Sequence, residues 1–315
     1  MPFIPEDSSG DLNVFGIRRM IVGVEMPETQ PWTAENLSLP VRLSIQNAMT
    51  LAEPARLPVT LVAVITEPAS GRLSSPEEVD RTHAGDLRTA EHVLRNIAGT
   101  HNSIPVDVTV RTGTAWEELI RSADSRPDHL IVCGTRDVQT LGQMLFGSTG
   151  LKLLRLSSGP VWIVKPRIED NDSADIVAAT DAGPTTQEVL MAAVSFAKNL
   201  NARLHVVHCV DAASCPTGPA TVDDVIQQIK ASLYEQLSAT DYRSLLFGVR
   251  VIVRHENAAE GILKVVSEAG ADLLVLGTSS RTSSSEFLPG SMIERLLPKL
   301  SCSVLALKPE GFRSE

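Results

Sequence analysis

The sequence predicts an α/β protein made of two tandem domains, each built on an open parallel sheet. Two observations predict this class. The second half of the chain repeats the first at a constant offset, and within each copy apolar strand-like runs alternate with helical patterns. Repeated strand–helix units of this kind favour a parallel sheet that is covered by helices on both faces.

The repeat is clearest from the predicted third strand of each copy onward. The alternating valines from Val106 to Val110 recur from Val249 to Val253 at an offset of 143 residues, and the match continues without a gap for about sixty residues. Two units of this size indicate duplicated domains rather than a solenoid. The same offset pairs Arg111 with Arg254, Thr114 with Asn257, Glu117 with Glu260, Gly134 with Gly277, Gly147 with Gly290, Ser148 with Ser291, and Lys165-Pro166 with Lys308-Pro309.

The domain boundaries follow from the repeat and from local composition. We expect an N-terminal extension over residues 1–16, a first domain over 17–166 (module 1), and a second over 174–310 (module 2). Residues 167–173 between them are polar and acidic, which is typical of a solvated linker.

Strands and helices can be placed most clearly in module 2. Strands are predicted over 175–180, 204–210, 249–253 and 273–277, and Val189, Ala193, Phe196 and Leu200 recur at helical spacing after the first of them. In module 1 the corresponding strands begin with 20–24 and include 106–110 and 130–134. Thr114 with Glu117 predicts a capping box, and Asn257 with Glu260 predicts a helix cap followed by an acidic first turn.

Charge and composition exclude several classes of function. The 315-residue chain has a net charge of -10, so it offers no basic field for nucleic acid or anionic lipid. No apolar run approaches the roughly 20 residues of a membrane span, and residues 1–10 lack a signal-peptide pattern. The four cysteines form no CxxC pair. We therefore expect a cytoplasmic protein without disulfides or structural zinc.

Familiar catalytic and metal motifs are missing from the sequence. There is no GxxxxGK[ST], no GxGxxG and no GxSxG. His205 and His208 stand three residues apart on a predicted strand and should point to opposite faces, so we expect no metal site and identify no catalytic residues.

Ligands of open parallel sheets bind beyond the carboxyl ends of the strands, and three kinds of residue stand out there. Gly277 and Gly290 with Ser291 could let a backbone approach a phosphate, or could simply end a strand and begin a helix. Glu25 and Asp181 could bind a ribose hydroxyl, or serve as solvated strand ends or helix caps. Arg111 and Arg254 could reach phosphate, or remain surface charges.

These residues carry a resemblance to a known family. A Gly-x-x-Gly-x9-Gly-Ser/Thr pattern after strand four, an Asp ending strand one and a last strand followed by Lys-Pro resemble the universal stress protein family in its tandem two-domain form. The resemblance covers roughly residues 17–166 and 174–310. It implies Rossmann-like domains of the adenine-nucleotide α hydrolase type.

The resemblance also implies a ligand and a set of contacts. Members of the family that bind ATP hold its adenosine at the ends of strands one and two and its phosphates on the glycine loop. Carried over to module 2, with Mg²⁺ as a companion ion, the implied nucleotide contacts are Thr180, Asp181, Cys209, Leu276, Gly277, Ser280, Gly290, Ser291 and Met292.

The two modules depart differently from the family pattern. The second loop glycine is Ser280 in module 2 and Asp137 in module 1, where Glu25 also replaces the strand-one Asp. A carboxylate facing a triphosphate repels it unless a metal bridges the two. Module 1 is therefore predicted to have a degenerate site, whereas the uncharged Ser280 leaves module 2 as the candidate nucleotide site.

Three functional hypotheses remain after this comparison. The first is a cytoplasmic stress-response protein that binds ATP in module 2 as a regulatory ligand. The second is a nucleotide-free scaffold that acts through protein or other small-ligand contacts, and the third is at most a slow ATP hydrolase. The resemblance further implies that the strands over 161–165 and 304–308 pair within the chain as a pseudo-dimer, and it leaves a homodimer open.

Overall fold

A computed structural model describes residues 15–66, 76–135, 146–166, 173–181, 183, 185–210, 221–278 and 292–309, with only the backbone given for 76–80. Strands and helices alternate along both modules. In module 1 the elements are β1 (Arg19–Gly23), α1 (Leu39–Ala52), β2 (Val59–Ile65), α2 (Pro76–Ala98), β3 (Val106–Thr112), α3 (Ala115–Ser122), β4 (His129–Gly134), α4 (Ser148–Leu156) and β5 (Val161–Val164).

Module 2 repeats this order. Its elements are β6 (Asp175–Thr180), α5 (Thr186–Asn199), β7 (Arg203–Cys209), α6 (Val222–Leu237), β8 (Val249–Arg254), α7 (Ala258–Ala269), β9 (Leu273–Gly277), α8 (Met292–Leu296) and β10 (Ser303–Leu307). The predicted strands of both modules are confirmed to within one residue at most ends.

All ten strands of the described chain form one continuous sheet in the order β3-β2-β1-β4-β5-β10-β9-β6-β7-β8. The strands within each module are parallel, and β5 and β10 meet antiparallel at the centre. The order on one side of this central pair is the mirror of the order on the other. The predicted α/β class and the pseudo-dimer within one chain are confirmed.

The central pairing obeys a two-fold relation. Trp162 of β5 lies opposite Leu305 of β10, and these two residues are also equivalent by the 143-residue offset of the repeat. The pair Ile163–Val304 likewise maps onto the pair Ala306–Val161. A pseudo-two-fold axis therefore passes between Trp162 and Leu305, and we call this central region the seam.

Side chains from both modules close the seam. The Trp162 ring packs edge-on against Phe196 of α5, with centroids 4.9 Å apart. Lys165 Nζ donates to the carbonyl of Leu300 at 2.7 Å, and Lys308 Nζ donates to the carbonyl of Leu154 near the end of α4. The last carbonyls of a helix lack partners within the helix, so an N–H donor from a lysine side chain is favourable there.

The apolar core forms two layers, one on each face of the sheet. Buried side chains of α1, α2, α5 and α6 cover one face, and those of α3, α4, α7 and α8 cover the other. Alternate residues of each strand supply the two layers, so Leu204 and Val206 of β7 face one layer while Val207 faces the other. The predicted helical positions Val189, Ala193 and Phe196 are fully buried in the first layer.

One local prediction is wrong and a related one is confirmed. Thr114 is the N-cap residue of α3, but its side chain makes no capping hydrogen bond, so the predicted box with Glu117 does not form. Asn257 does cap α7, since its Oδ1 accepts from the backbone N–H of Ala259 at 3.1 Å. A reciprocal capping box forms instead at Thr221 and Asp224, where α6 begins.

Candidate nucleotide site at the carboxyl edge of module 2

The candidate site lies where the crossovers of module 2 change face. Strand β6 stands between β7 and β9 in the sheet. The chain leaves β6 through α5 on one face and reaches β9 through α7 on the other. In an open parallel sheet such a switch point opens a crevice beyond the strand ends. Asp181, just after β6, and Gly277, the last residue of β9, stand on its two sides.

Thr180 and Asp181 end the first strand of module 2. Thr180 is half-buried, and its Oγ1 lies 3.4 Å from the carbonyl oxygen of Val207. Asp181 is exposed, and its Oδ1 accepts the backbone N–H of Gly183 at 2.8 Å. This short turn fixes the direction of the carboxylate at the mouth of the crevice.

Cys209 ends β7 but is turned toward the helix α7. Its Sγ lies 3.8 Å from the carbonyl oxygen of Ala258, and a Cβ added to Gly261 would come within 2.5 Å of the sulfur. Burial, reinforced by the negative charge of Glu256, raises the pKa of Cys209 to about 11. The thiol is therefore protonated at neutral pH and is a weak nucleophile.

Leu276 and Gly277 end β9. Leu276 is buried in the layer formed by α7 and α8. A Cβ added to Gly277 would lie 2.4 Å from Oγ1 of Thr185, the N-cap residue of α5. Close approach of the α5 N-terminus is thus a packing reason for glycine here, and the sequence pattern alone did not reveal Thr185.

The rest of the predicted site is described only in part. Met292 is the first residue of α8, and its side chain packs against the second core layer. Ser280, Gly290 and Ser291 lie outside the described residues, and so does Asp137 of module 1. The phosphate-binding role of that loop therefore stays a prediction.

Module 1 shows the same edge with different chemistry. Glu25 occupies the position of Asp181 and is exposed. A Cβ added to Gly134 would lie 2.7 Å from the backbone carbonyl atoms of Pro40, in the first turn of α1. In both modules the glycine that ends the fourth strand therefore allows the N-terminus of the first helix to pack closely against it.

The two strand histidines of module 2 do not form a chelating pair. His205 and His208 project to opposite faces of β7, and each ring is buried. Burial lowers the pKa of His208. Within the described part of the chain, no cluster of His, Cys, Asp and Glu is placed to hold a metal ion.

The family is shown by its sequence model. The model of the universal stress protein family matches residues 42–165 and again residues 174–308. Together the two matches span most of the 315 residues, so the chain belongs to the universal stress protein family in its tandem form.

Several curated relatives carry the name universal stress protein E. A universal stress protein E homolog from Haemophilus influenzae is 28% identical over 196 residues, which covers 57% of this chain and 62% of the relative. Universal stress protein E of Photorhabdus laumondii is 22% identical over 214 residues, and that of Escherichia coli K12 is 23% identical over 228 residues. The alignments cover 67% and 71% of those two relatives. The chain therefore resembles universal stress protein E.

Solved structures share the whole fold. A universal stress protein from Archaeoglobus fulgidus aligns over 93% of this chain and 98% of its own, with a TM-score of 0.63 and 18% identity. A protein of unknown function from Pseudomonas aeruginosa PAO1 aligns over 95% of both chains, with a TM-score of 0.60. One shorter universal stress protein was solved in complex with cAMP, and it aligns with 44% of this chain at a TM-score of 0.35. Among the residues described, no helix has the length and apolar character needed to cross a membrane.

Proposed function

We propose that this protein is a cytoplasmic universal stress-type protein that binds ATP, with Mg²⁺, at the carboxyl edge of module 2 as a regulatory ligand. The observation that carries the proposal is the position of Asp181 and Gly277 on the two sides of the switch point. Adenine nucleotides bind at this place in other open α/β sheets.

The chemistry of the strand ends supports an adenosine moiety. An acidic side chain at the end of a strand near the switch point commonly accepts hydrogen bonds from ribose hydroxyls. The Asp181 carboxylate is exposed and is held by the N–H of Gly183, so little side-chain freedom is lost on binding. Thr180 and Leu276 would then lie beneath the adenosine, with the phosphates directed toward Gly290 and Ser291.

The residues described at this edge include no group arranged to catalyse hydrolysis. Cys209 is protonated and packs against α7, and the described residues place no general base beside Thr180, whose Oγ1 contacts only the carbonyl oxygen of Val207 there. A ligand-binding role that changes protein contacts is therefore favoured over turnover.

The test is calorimetric titration of the protein with Mg-ATP, using matched variants in the two modules. Asp181→Ala should weaken binding about tenfold or more, because it removes a charge-assisted hydrogen bond. Glu25→Ala, the equivalent change in module 1, should leave affinity unchanged. If the two variants behave alike, the site is not at Asp181.

Two loop variants sharpen the test. Gly290→Asp should abolish binding, because it places a negative charge where the phosphates are predicted, and Ser280→Gly should tighten it. If the unaltered protein shows no heat of binding, the nucleotide proposal fails and the nucleotide-free scaffold becomes the better account.

A further inference from the structure

A cavity of about 340 Å³ opens at the amino-terminal edge of module 2, at the opposite end of the strands from the nucleotide site. Side chains from the starts of β6, β7 and β8, from the turn before β8 and from the end of α7 line it. The polar and aromatic members are Asp175, Arg203, His205, Phe247, Arg250 and Glu268. The volume is in the range of small-molecule sites.

The inner wall of the cavity is a buried acid–histidine pair. His205 Nε2 lies 2.8 Å from Asp175 Oδ1, and both side chains are less than one-tenth exposed. Arg203 Nη1 adds contacts to the same carboxylate at 3.4 and 3.5 Å. The charge of Asp175 is therefore compensated within the wall.

The histidine of this pair is incompletely satisfied. Because Asp175 accepts from Nε2, the other ring nitrogen, Nδ1, would need a partner of its own. It is buried and has no hydrogen-bond partner among the residues that the structure describes. A buried polar atom without a partner is unfavourable, and the described residues hold others, including Nδ1 of His129 and of His208, so the cavity beside His205 rather than the orphaned atom alone sets this residue apart.

The outer wall carries an arginine that neither carboxylate of the cavity engages. Glu268 pairs with Arg254, and Asp175 is engaged as above, so both carboxylates at the cavity are occupied. Arg250 is exposed on β8 and has no ion pair within the described part of the chain. A guanidinium in this position presents a fork of donors that matches a carboxylate.

An apolar surface lies beside this charge. Phe247 is 45% exposed, and its ring centroid lies 5.7 Å from the guanidinium carbon of Arg203. Ile252 and Val265 continue the apolar lining toward the core. A molecule held by Arg250 could therefore cover Phe247, which is otherwise left to water.

The equivalent residues of module 1 contact one another. By strand register, Arg19, Thr60 and Asp107 are the equivalents of Asp175, His205 and Arg250. Arg19 Nη1 donates to Thr60 Oγ1 at 3.1 Å and lies 3.4 Å from Asp107 Oδ2. Module 1 therefore has an arginine where module 2 has Asp175, and an aspartate where module 2 has Arg250. In module 1 this arginine and this aspartate form an ion pair with each other.

We propose that the module 2 cavity binds a small organic acid, with the ligand carboxylate on Arg250 and its apolar body against Phe247 and Ile252. This site is separate from the nucleotide site and does not depend on nucleotide binding. Its ligand is a carboxylate-bearing metabolite small enough for a cavity of about 340 Å³.

The experiment is titration of the full-length protein with benzoate and succinate, followed by calorimetry and by thermal stabilisation. At least one of the two acids should bind with a Kd of about 1 mM or tighter. Benzyl alcohol and inorganic phosphate serve as probes without a carboxylate and should bind at least about tenfold more weakly.

Matched variants locate the site. Arg250→Gln should weaken carboxylate binding about tenfold or more, and folding should be preserved because the side chain is exposed. Arg111→Gln removes the same charge from the edge strand of module 1 and should not change affinity. Absence of binding by both acids, equal affinity in Arg250→Gln, or tighter binding of phosphate than of either acid would each overturn the proposal.

Discussion

The two modules share one sheet order but carry opposite charges at the amino ends of their first three strands. Module 1 places an arginine, a threonine and an aspartate there, and the three form a closed network. Module 2 places an aspartate, a histidine and an arginine at the same positions, and the arginine is left facing a cavity. The acidic and basic residues are thus exchanged between the two modules. In module 1 they pair with each other, whereas in module 2 the arginine remains available to a ligand, and the fold is the same in both.

The largest expected effect tests whether the modules unfold independently. Phe196→Ala in α5 removes a fully buried ring that packs on Trp162 across the seam, and it should cost about 3–5 kcal/mol. All three tryptophans (Trp32, Trp116 and Trp162) belong to module 1, so fluorescence reports on module 1 and circular dichroism on both. The denaturant midpoint detected by fluorescence should fall although the substitution is in module 2.

Leu233→Ala is the matched control for that experiment. Leu233 is buried in α6, within module 2 and away from the seam. It should lower the midpoint detected by circular dichroism more than the one detected by fluorescence. If Phe196→Ala leaves the fluorescence midpoint unchanged, the seam does not couple the modules, and if both variants shift the two signals equally, the whole chain unfolds as one unit.

The second effect concerns the two seam lysines. Burial lowers the pKa of Lys308 to about 7, and it also lowers the pKa of the half-buried Lys165. Folding therefore expels a proton from Lys308 between about pH 7 and the unfolded pKa of about 10.4, so stability should rise with pH across that window. The slope that a single such group contributes is at most about 1.4 kcal/mol per pH unit.

Lysine variants assign this pH dependence to a residue. Lys308→Met should flatten the rise of the melting temperature between pH 7 and 10, and Lys165→Met should flatten it less. A profile that stays unchanged in Lys308→Met would show that another group is responsible.

The third effect compares the glycines that seat the first helix of each module. Gly134→Ala should cost about 2–3 kcal/mol, because the new Cβ meets the backbone of Pro40, which cannot rotate away. Gly277→Ala should cost less, about 1–2 kcal/mol, because the nearest atom is the Thr185 hydroxyl, which can turn, although the Thr185 Cβ stays 3.0 Å away. Urea unfolding measures both.

Gly85→Ala provides the control for the glycine series. Gly85 lies within α2, and an added Cβ would have no neighbour within 4 Å. This change should stabilise the protein slightly through helix propensity. If Gly134→Ala and Gly277→Ala lower the free energy of unfolding equally, the predicted difference between a backbone contact and a side-chain contact is wrong.

The smallest effect separates two helix caps that occupy equivalent positions. Asn257→Ala should cost about 1 kcal/mol, because the N–H of Ala259 loses its acceptor. Thr114→Ala, at the matching position of module 1, should change stability by less than about 0.5 kcal/mol, because no cap bond exists to lose. The melting temperatures of the two variants, measured by thermal unfolding, test this difference in stability.

Much of the fold could be predicted from the sequence because the signals are local or repeated. Alternating valines placed β3 and β8, which are partly exposed edge strands, and the apolar run ending at Gly277 placed β9, which is buried between two neighbouring strands. The pairing of β5 with β10 followed from the family resemblance. The capping box at Thr114 failed because a pattern states residue types but does not fix a side-chain rotamer.

The candidate sites were less accessible to sequence reasoning. Asp181 stood out because it directly follows a strand, but the packing role of Gly277 depends on Thr185, which arrives from a neighbouring helix. The cavity could not be predicted from the sequence, because Asp175, His205 and Arg250 belong to three separate strands that meet only in the folded sheet. The exchange of Asp107 for Arg250 was visible in the repeat, but it has no meaning until the neighbouring strands are known.

The antiparallel contact of β5 with β10 has a consequence for how this molecule can evolve. In a pair of identical subunits every substitution appears twice, and the pair separates on dilution. Here the two halves are covalently joined, so their association does not depend on protein concentration and each half can change alone. The single chain thus behaves like a dimer of two different subunits in a fixed one-to-one ratio. One module can acquire a new binding site while the other keeps the residues that hold the shared sheet together.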